Sequence, residues 1–218
     1  MRAREVHARL AELASHQHGL VTAPQARAAG VTYVRLTRMS QSGALRRVAH
    51  GVYVLADAPA DSHRDLRAAW LALDPEHDAR ARLADPAAGA VVSHFCAAAL
   101  HGIAPAGAQL EFIVPGRKQS RRGDVRLRRG SLAADDIAVA HGLPVTTIER
   151  LLVDLLSDGA DLDAVAALYC RATADAPLRD DLVDRLEPLA ARRGFAPRDG
   201  RGLLARLAAA RPQVQIVG

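Results

Sequence analysis

Residues 4–55 carry three helix signals and a basic hairpin in a fixed order, and few folds accept that order. Val6, Leu10, Leu13 and Ala14 recur at helical spacing, and Gly19 follows them as a residue suited to a C-terminal cap. Thr22-Ala23-Pro24-Gln25 reads as a capping box, in which the threonine hydroxyl accepts the glutamine amide and the glutamine side chain turns back to the cap amide. Pro24 falls in the first turn, where a missing N–H is tolerated. Gly30 ends this short helix and Val31 is a candidate for the buried turn. Thr32 caps a further helix to about Ser42, with Leu36 and Met39 facing inward and Arg35, Arg38 and Gln41 outward. A β-hairpin ending in His50-Gly51-Val52-Tyr53-Val54-Leu55 closes the segment. This order predicts a winged helix-turn-helix, whose last helix enters the major groove of double-stranded DNA.

Charge is concentrated where that reading needs it. Residues 1–56 hold eight arginines, at positions 2, 4, 9, 27, 35, 38, 46 and 47, against Glu5 and Glu12, while the rest of the chain is nearly neutral. A clustered arginine surface neutralises phosphates, and arginine reads guanine edges in bidentate fashion. Thr32, Tyr33, Arg35, Arg38 and Gln41 are the candidate groove contacts, and Arg46, Arg47 and His50 the candidate wing and phosphate contacts. The alternative is a helical protein-interaction module with a solvated basic face, because helix-turn-helix folds also bind proteins.

Length and composition bound the remainder of the chain. The 218 residues, 50% of them hydrophobic, supply a DNA-binding domain over 1–56 and a larger domain over 60–218, joined by the linker Asp57-Ala58-Pro59-Ala60-Asp61. Cys96 and Cys170 are the two cysteines, with no CxxC and no Cys/His spacing suited to zinc. Neither a disulfide framework nor a metal is expected, and the compartment expected is the reducing cytoplasm. Residues 86–110 lack Asp, Glu, Lys and Arg but contain prolines, glycines and two histidines, so they are expected as buried core rather than as a membrane span. Met1 leads into an amphipathic helix carrying Arg2, Arg4 and Glu5, which is not the pattern of a signal peptide.

In the larger domain, Leu66, Ala69, Trp70 and Leu73 stripe a helix from about Ser62, and Ser93 caps another to about His101. Residues 110–114, 125–128 and 137–140 read as short strands. Thr146-Thr147-Ile148-Glu149 reads as a second capping box, opening a helix with Leu151, Leu152, Leu155 and Leu156, and helical periodicity dominates from Asp161. The expected fold class is α+β: an N-terminal winged helix-turn-helix, then a mixed α/β domain with a helical C-terminal part.

Taken in order, Leu20-Val21-Thr22, Gly30-Val31, Gly43-Ala44-Leu45, Gly51-Val52-Tyr53-Val54-Leu55, Ser93-His94, Ala98-Ala99-Leu100-His101-Gly102, Phe112-Ile113-Val114-Pro115 and Gly142-Leu143-Pro144-Val145-Thr146-Thr147-Ile148-Glu149-Arg150 resemble the AbiEi family of antitoxins, and the similarity runs on to Asp199-Gly200 and Leu203-Leu204. The resemblance covers nearly the whole chain. It implies an antitoxin of a type IV-like pair that represses its own operon through the winged helix and counters a cognate AbiEii-type nucleotidyltransferase toxin. A stand-alone winged-helix regulator, whose C-terminal domain senses a ligand or assembles oligomers, is the alternative.

An enzyme is not expected. Ser93, His94 and His101 could suggest a nucleophile and base, but neighbours at a helix start point apart, and Ser93 suits an N-cap. His94 and His101 lack a third metal ligand, Glu149 has a role as a capping partner beside Asp154, and no cofactor motif stands out. Residues 117–129 form a second basic segment, with seven Arg or Lys against Asp124. Its Arg117, Lys118, Arg121 and Arg122 stand as DNA contacts, toxin contacts or a solvated loop.

Overall fold

The computed structural model describes residues 3–174 and 176–209, so Met1 and Arg2, two residues of the expected amphipathic start, lie outside the described residues. The chain divides into two compact units, Met1–Ala90 with Val114–Ser131, and Val91–Ile113 with Leu132–Gly218.

The first unit opens with α1 (Ala3–Ser15), β1 (Leu20–Thr22), α2 (Ala23–Ala28), α3 (Tyr33–Gln41), β2 (Leu45–Ala49) and β3 (Val52–Leu55). β3 lies between β1 and β2, antiparallel to both, and a bulge between Arg47 and Ala49 bends the wing. Val6, Leu10, Ala14, Val21, Ala26, Val31, Leu36, Leu45 and Tyr53 form one buried cluster, so the three helices and the wing close on a shared core. This is the expected winged helix-turn-helix. Gly19 has φ +80°, and a Cβ there would fall 2.3 Å from the Cβ of Ala58, so both backbone conformation and space demand glycine.

Both caps of the helix-turn-helix form. Thr22 accepts from the Gln25 amide while Gln25 Oε1 accepts from the Thr22 amide at 3.1 Å, and Thr32 accepts from the Arg35 amide. Gln25 does more than cap. With Gln17 it makes a buried amide pair, its Nε2 donates to the His77 carbonyl at 2.9 Å, and Gln17 Oε1 accepts from the Ala79 amide at 3.1 Å. The Thr22 hydroxyl reaches the Pro75 carbonyl.

The unit therefore runs through the 57–61 segment. Asp61 pairs with Arg67 at 2.8 Å, and α4 (Arg64–Leu73) packs on the three-stranded sheet. α5 (Ala79–Ala84) fills a stretch that has no clear apolar period in the sequence. It is held by Arg82, which lies 3.6 Å from the Trp70 ring centroid and donates to the Trp70 carbonyl.

The second unit contains β4 (Val91–Val92), α6 (His94–Leu100), β5 (Leu110–Val114, its last residue grouped with the first unit), and, after β6 (Val125–Arg129) of the first unit, β7 (Ile137–Ala140) and β8 (Leu143–Thr146). Its strands run in the order β5-β4-β8-β7, with β4 and β8 parallel and the other pairs antiparallel. Four helices complete it: α7 (Ile148–Ser157), α8 (Leu162–Ala172), α9 (Leu182–Ala190) and α10 (Gly200–Ala208). Of the stretch expected as core, 90–94 and most of α6 are buried, but 104–109 are largely exposed. No helix among the described residues is long and apolar enough to cross a membrane.

Candidate nucleic-acid interface

α3 is presented by its cap. With Leu36 buried at 1% exposure and Met39 half-buried, the helix rests one stripe on the core and turns the opposite stripe outward. Thr32, Tyr33, Arg38 and Gln41 are exposed. Arg35 differs from its outward expectation. It is half-buried and, with Val6, His7, Arg38 and Met39, lines a depression between α1 and α3. The Thr32 hydroxyl is engaged by the Arg35 amide, so its principal task is capping. No acidic residue stands in α3 or the wing, and Val34, absent from the sequence-based site, is 58% exposed.

On the wing, Arg46 and Arg47 are both exposed. Arg47 Nη2 lies 3.0 Å from His50 Nδ1, and its Nε donates to the Ala49 carbonyl at 3.3 Å across the bulge. The bulge and hairpin turn therefore hold the Arg47 guanidinium in place, which lowers the entropy lost when it meets a phosphate.

The basic segment 117–129 belongs to the same compact unit as α3, and its charges divide into two kinds. Lys118 Nζ donates to the Leu73 carbonyl at 2.8 Å, where a cation complements the C-terminal end of α4. Arg122 pairs with Asp124 at 2.6 Å, and that hydrogen-bonded pairing raises the arginine's pKa and lowers the aspartate's. Arg117 and Arg121 are exposed. Grouping all four as one solvent-facing patch therefore overlooks the structural roles of Lys118 and Arg122.

The Ser93-His94 pair is a packed arrangement. Ser93 and His94 are buried, Ser93 Oγ lies 3.0 Å from His94 Nδ1, and His94 Nε2 is 3.3 Å from Asp158. Ser93 heads α6 without a side-chain cap bond, and Glu111 accepts from the Phe95 amide instead. His101 Nε2 meets the Thr146 carbonyl at 2.8 Å. Among the described residues, no three His, Cys, Asp or Glu side chains gather as a metal site.

Residues 8–56 match the family model described as "Transcriptional regulator, AbiEi antitoxin", and residues 87–204 match that of the "AbiEi antitoxin C-terminal domain". The protein belongs to the AbiEi antitoxin family. No curated protein matches the chain. Among solved structures it is similar to the RV2827C protein from Mycobacterium tuberculosis, with 20% identity, a TM-score of 0.48, and coverage of 94% of this chain and 82% of that one. The first AbiEi match spans α2, α3 and the wing, so the candidate interface lies inside the regulator module.

Proposed function

We propose that this AbiEi protein represses its own operon by binding double-stranded operator DNA through α3 and the wing, and that it counters a cognate AbiEii-type nucleotidyltransferase toxin. The observation that carries the DNA reading is an exposed helix face and a wing that hold Arg38, Gln41, Arg46 and Arg47 and no acid, within a family module named for transcriptional regulation. Tyr33, at the first turn of α3, and His50, beside Arg47, complete the contact set. Thr32 positions the helix, and Arg35 contributes from the α1 side. Arg117 and Arg121, in the same compact unit, would extend the phosphate contacts.

Mobility-shift titrations of the full chain on its own promoter region, at several salt concentrations, test the reading. Arg38→Ala is expected to cost about 1 to 3 kcal/mol and to relax specificity, while Arg47→Ala weakens all sequences alike and flattens the salt slope by about 1. Arg117→Gln with Arg121→Gln flattens the slope without changing sequence preference. Unchanged affinity in an Arg38→Ala, Arg47→Ala double variant would reject the interface.

A further inference from the structure

Large apolar side chains left in water are uncommon among the described residues. Tyr33, Val34, Phe95 and Val139 are the exposed large hydrophobics there, and two of the four stand side by side in the first turn of α3. Val34 is the less expected of the two, because a β-branched residue is a poorer helix former than alanine and at 58% exposure it adds little to the core. Its surroundings specify what would cover it. Val34, Arg38 and Gln41 fall at i, i+4 and i+7 and share one face of the helix, and all three are exposed. That face carries no acid, so the occupant it suits is anionic and offers an apolar group amid hydrogen-bonding edges. The major groove of DNA does so at the C5-methyl group of thymine, beside the purine edges whose donors and acceptors arginine and glutamine read.

We propose that Val34 is a specificity-determining residue that packs on a thymine C5-methyl group of the operator, on the same strip of groove that Arg38 and Gln41 read. The proposal rests on the DNA-binding reading above and deepens it, since it states which base the first turn selects. Position supports it as well: the N-terminal turns of a recognition helix lie nearest the base edges. Arg35, one residue on, is half-buried on the α1 side, which leaves Val34 as the outward side chain between Tyr33 and Arg38.

The test removes the methyl group from either side of the contact. Duplexes enriched from a random library by the full chain supply a site, and each of its thymines is replaced in turn by 2′-deoxyuridine, which lacks only that methyl. The wild-type chain is expected to lose about three- to fivefold in affinity at one thymine, the size of one buried methyl group. Val34→Ala should bind the thymine and uracil duplexes equally, and Val34→Thr, which keeps a branched methyl, should restore the discrimination. Val34 is exposed and alanine favours helix, so these variants fold. A specific site whose affinity is indifferent to every methyl, or a Val34→Ala chain that still loses three- to fivefold on methyl removal, overturns the inference and leaves DNA binding intact. Failure to enrich any sequence above background overturns both.

Discussion

Asp154 in α7 accepts from Arg150 Nε at 2.9 Å through Oδ1, while its Oδ2 is buried and finds no hydrogen-bond partner. Burial pushes its pKa up to about 6, against the attraction of Arg150. Asp136, also buried, shows the opposite balance: burial raises its pKa, but Arg185 at 2.5 Å and Arg150 at 2.9 Å bring it below the usual carboxylate value. For Asp154 the folded state prefers the protonated form, so its favourable contribution is present near pH 4 and is lost as pH rises through about 6. Asp154→Asn, which keeps an acceptor for Arg150, is therefore expected to raise the melting temperature above pH 6 and to change it little at pH 4. Calorimetry across that range checks it, and an equal effect at both ends would contradict the burial argument. Single residues are also where reading the chain by pattern fails most. Glu149 is expected from the sequence to cap α7 from position N3, but Thr147 is the cap, its hydroxyl accepts from the Arg150 amide, and Glu149 Oε1 accepts from the Arg179 amide. A shift of one residue in the helix start reassigns every cap role, and adjacent threonines leave that start undetermined from sequence.

At the scale of elements, amphipathic helices and their caps are legible because their signal is local. α1, α2, α3, α4 and α7 each carry an apolar stripe, a cap or both. The strands β1, β4 and β8 are not, because each is buried along its whole length, so no polar alternation marks it, and it exists through its partners. The start of α2 shows what such partners add. Gln25 is a helix cap by sequence, yet at 4% exposure it also holds Gln17 and the His77 carbonyl. Gln25→Ala would remove the bonds to the His77 carbonyl and the Thr22 amide and take from Gln17 one partner, leaving it those to the Leu20 carbonyl and the Ala79 amide, and is expected to destabilise the unit by about 2 to 4 kcal/mol, more than the ~1 kcal/mol of a lost cap alone. Trp70 is the single tryptophan and is buried in the same unit, so its emission in a urea titration reports the change.

At the scale of the whole molecule, the first unit is discontinuous, since the chain leaves it at Ala90 and returns at Val114. A fragment beginning at residue 60 would keep α4 without the sheet it packs on, and would break the bonds from Gln17, Thr22 and Gln25 to residues 75–79. The division between a DNA-binding part over 1–56 and a toxin-countering part over 60–218 thus stands as a proposal best tested in the full chain. Arg38→Ala with Arg47→Ala is expected to abolish operator binding while retaining full protection when co-expressed with the toxin, scored by growth. Lost protection in that folded variant would show that neutralisation also uses the winged-helix surface. The family, the order of the winged-helix elements and the N-terminal concentration of arginine were determined by the sequence alone, because helical period, cap spacing and charge are properties of neighbouring residues. Which basic side chains stay exposed was decided only by the tertiary structure. Lys118 is held at the end of α4, Arg122 by Asp124, and Arg35 is half-buried on the α1 side, while Val34 is left outside. Burial and ion pairing depend on residues distant in the chain, and no local pattern encodes them.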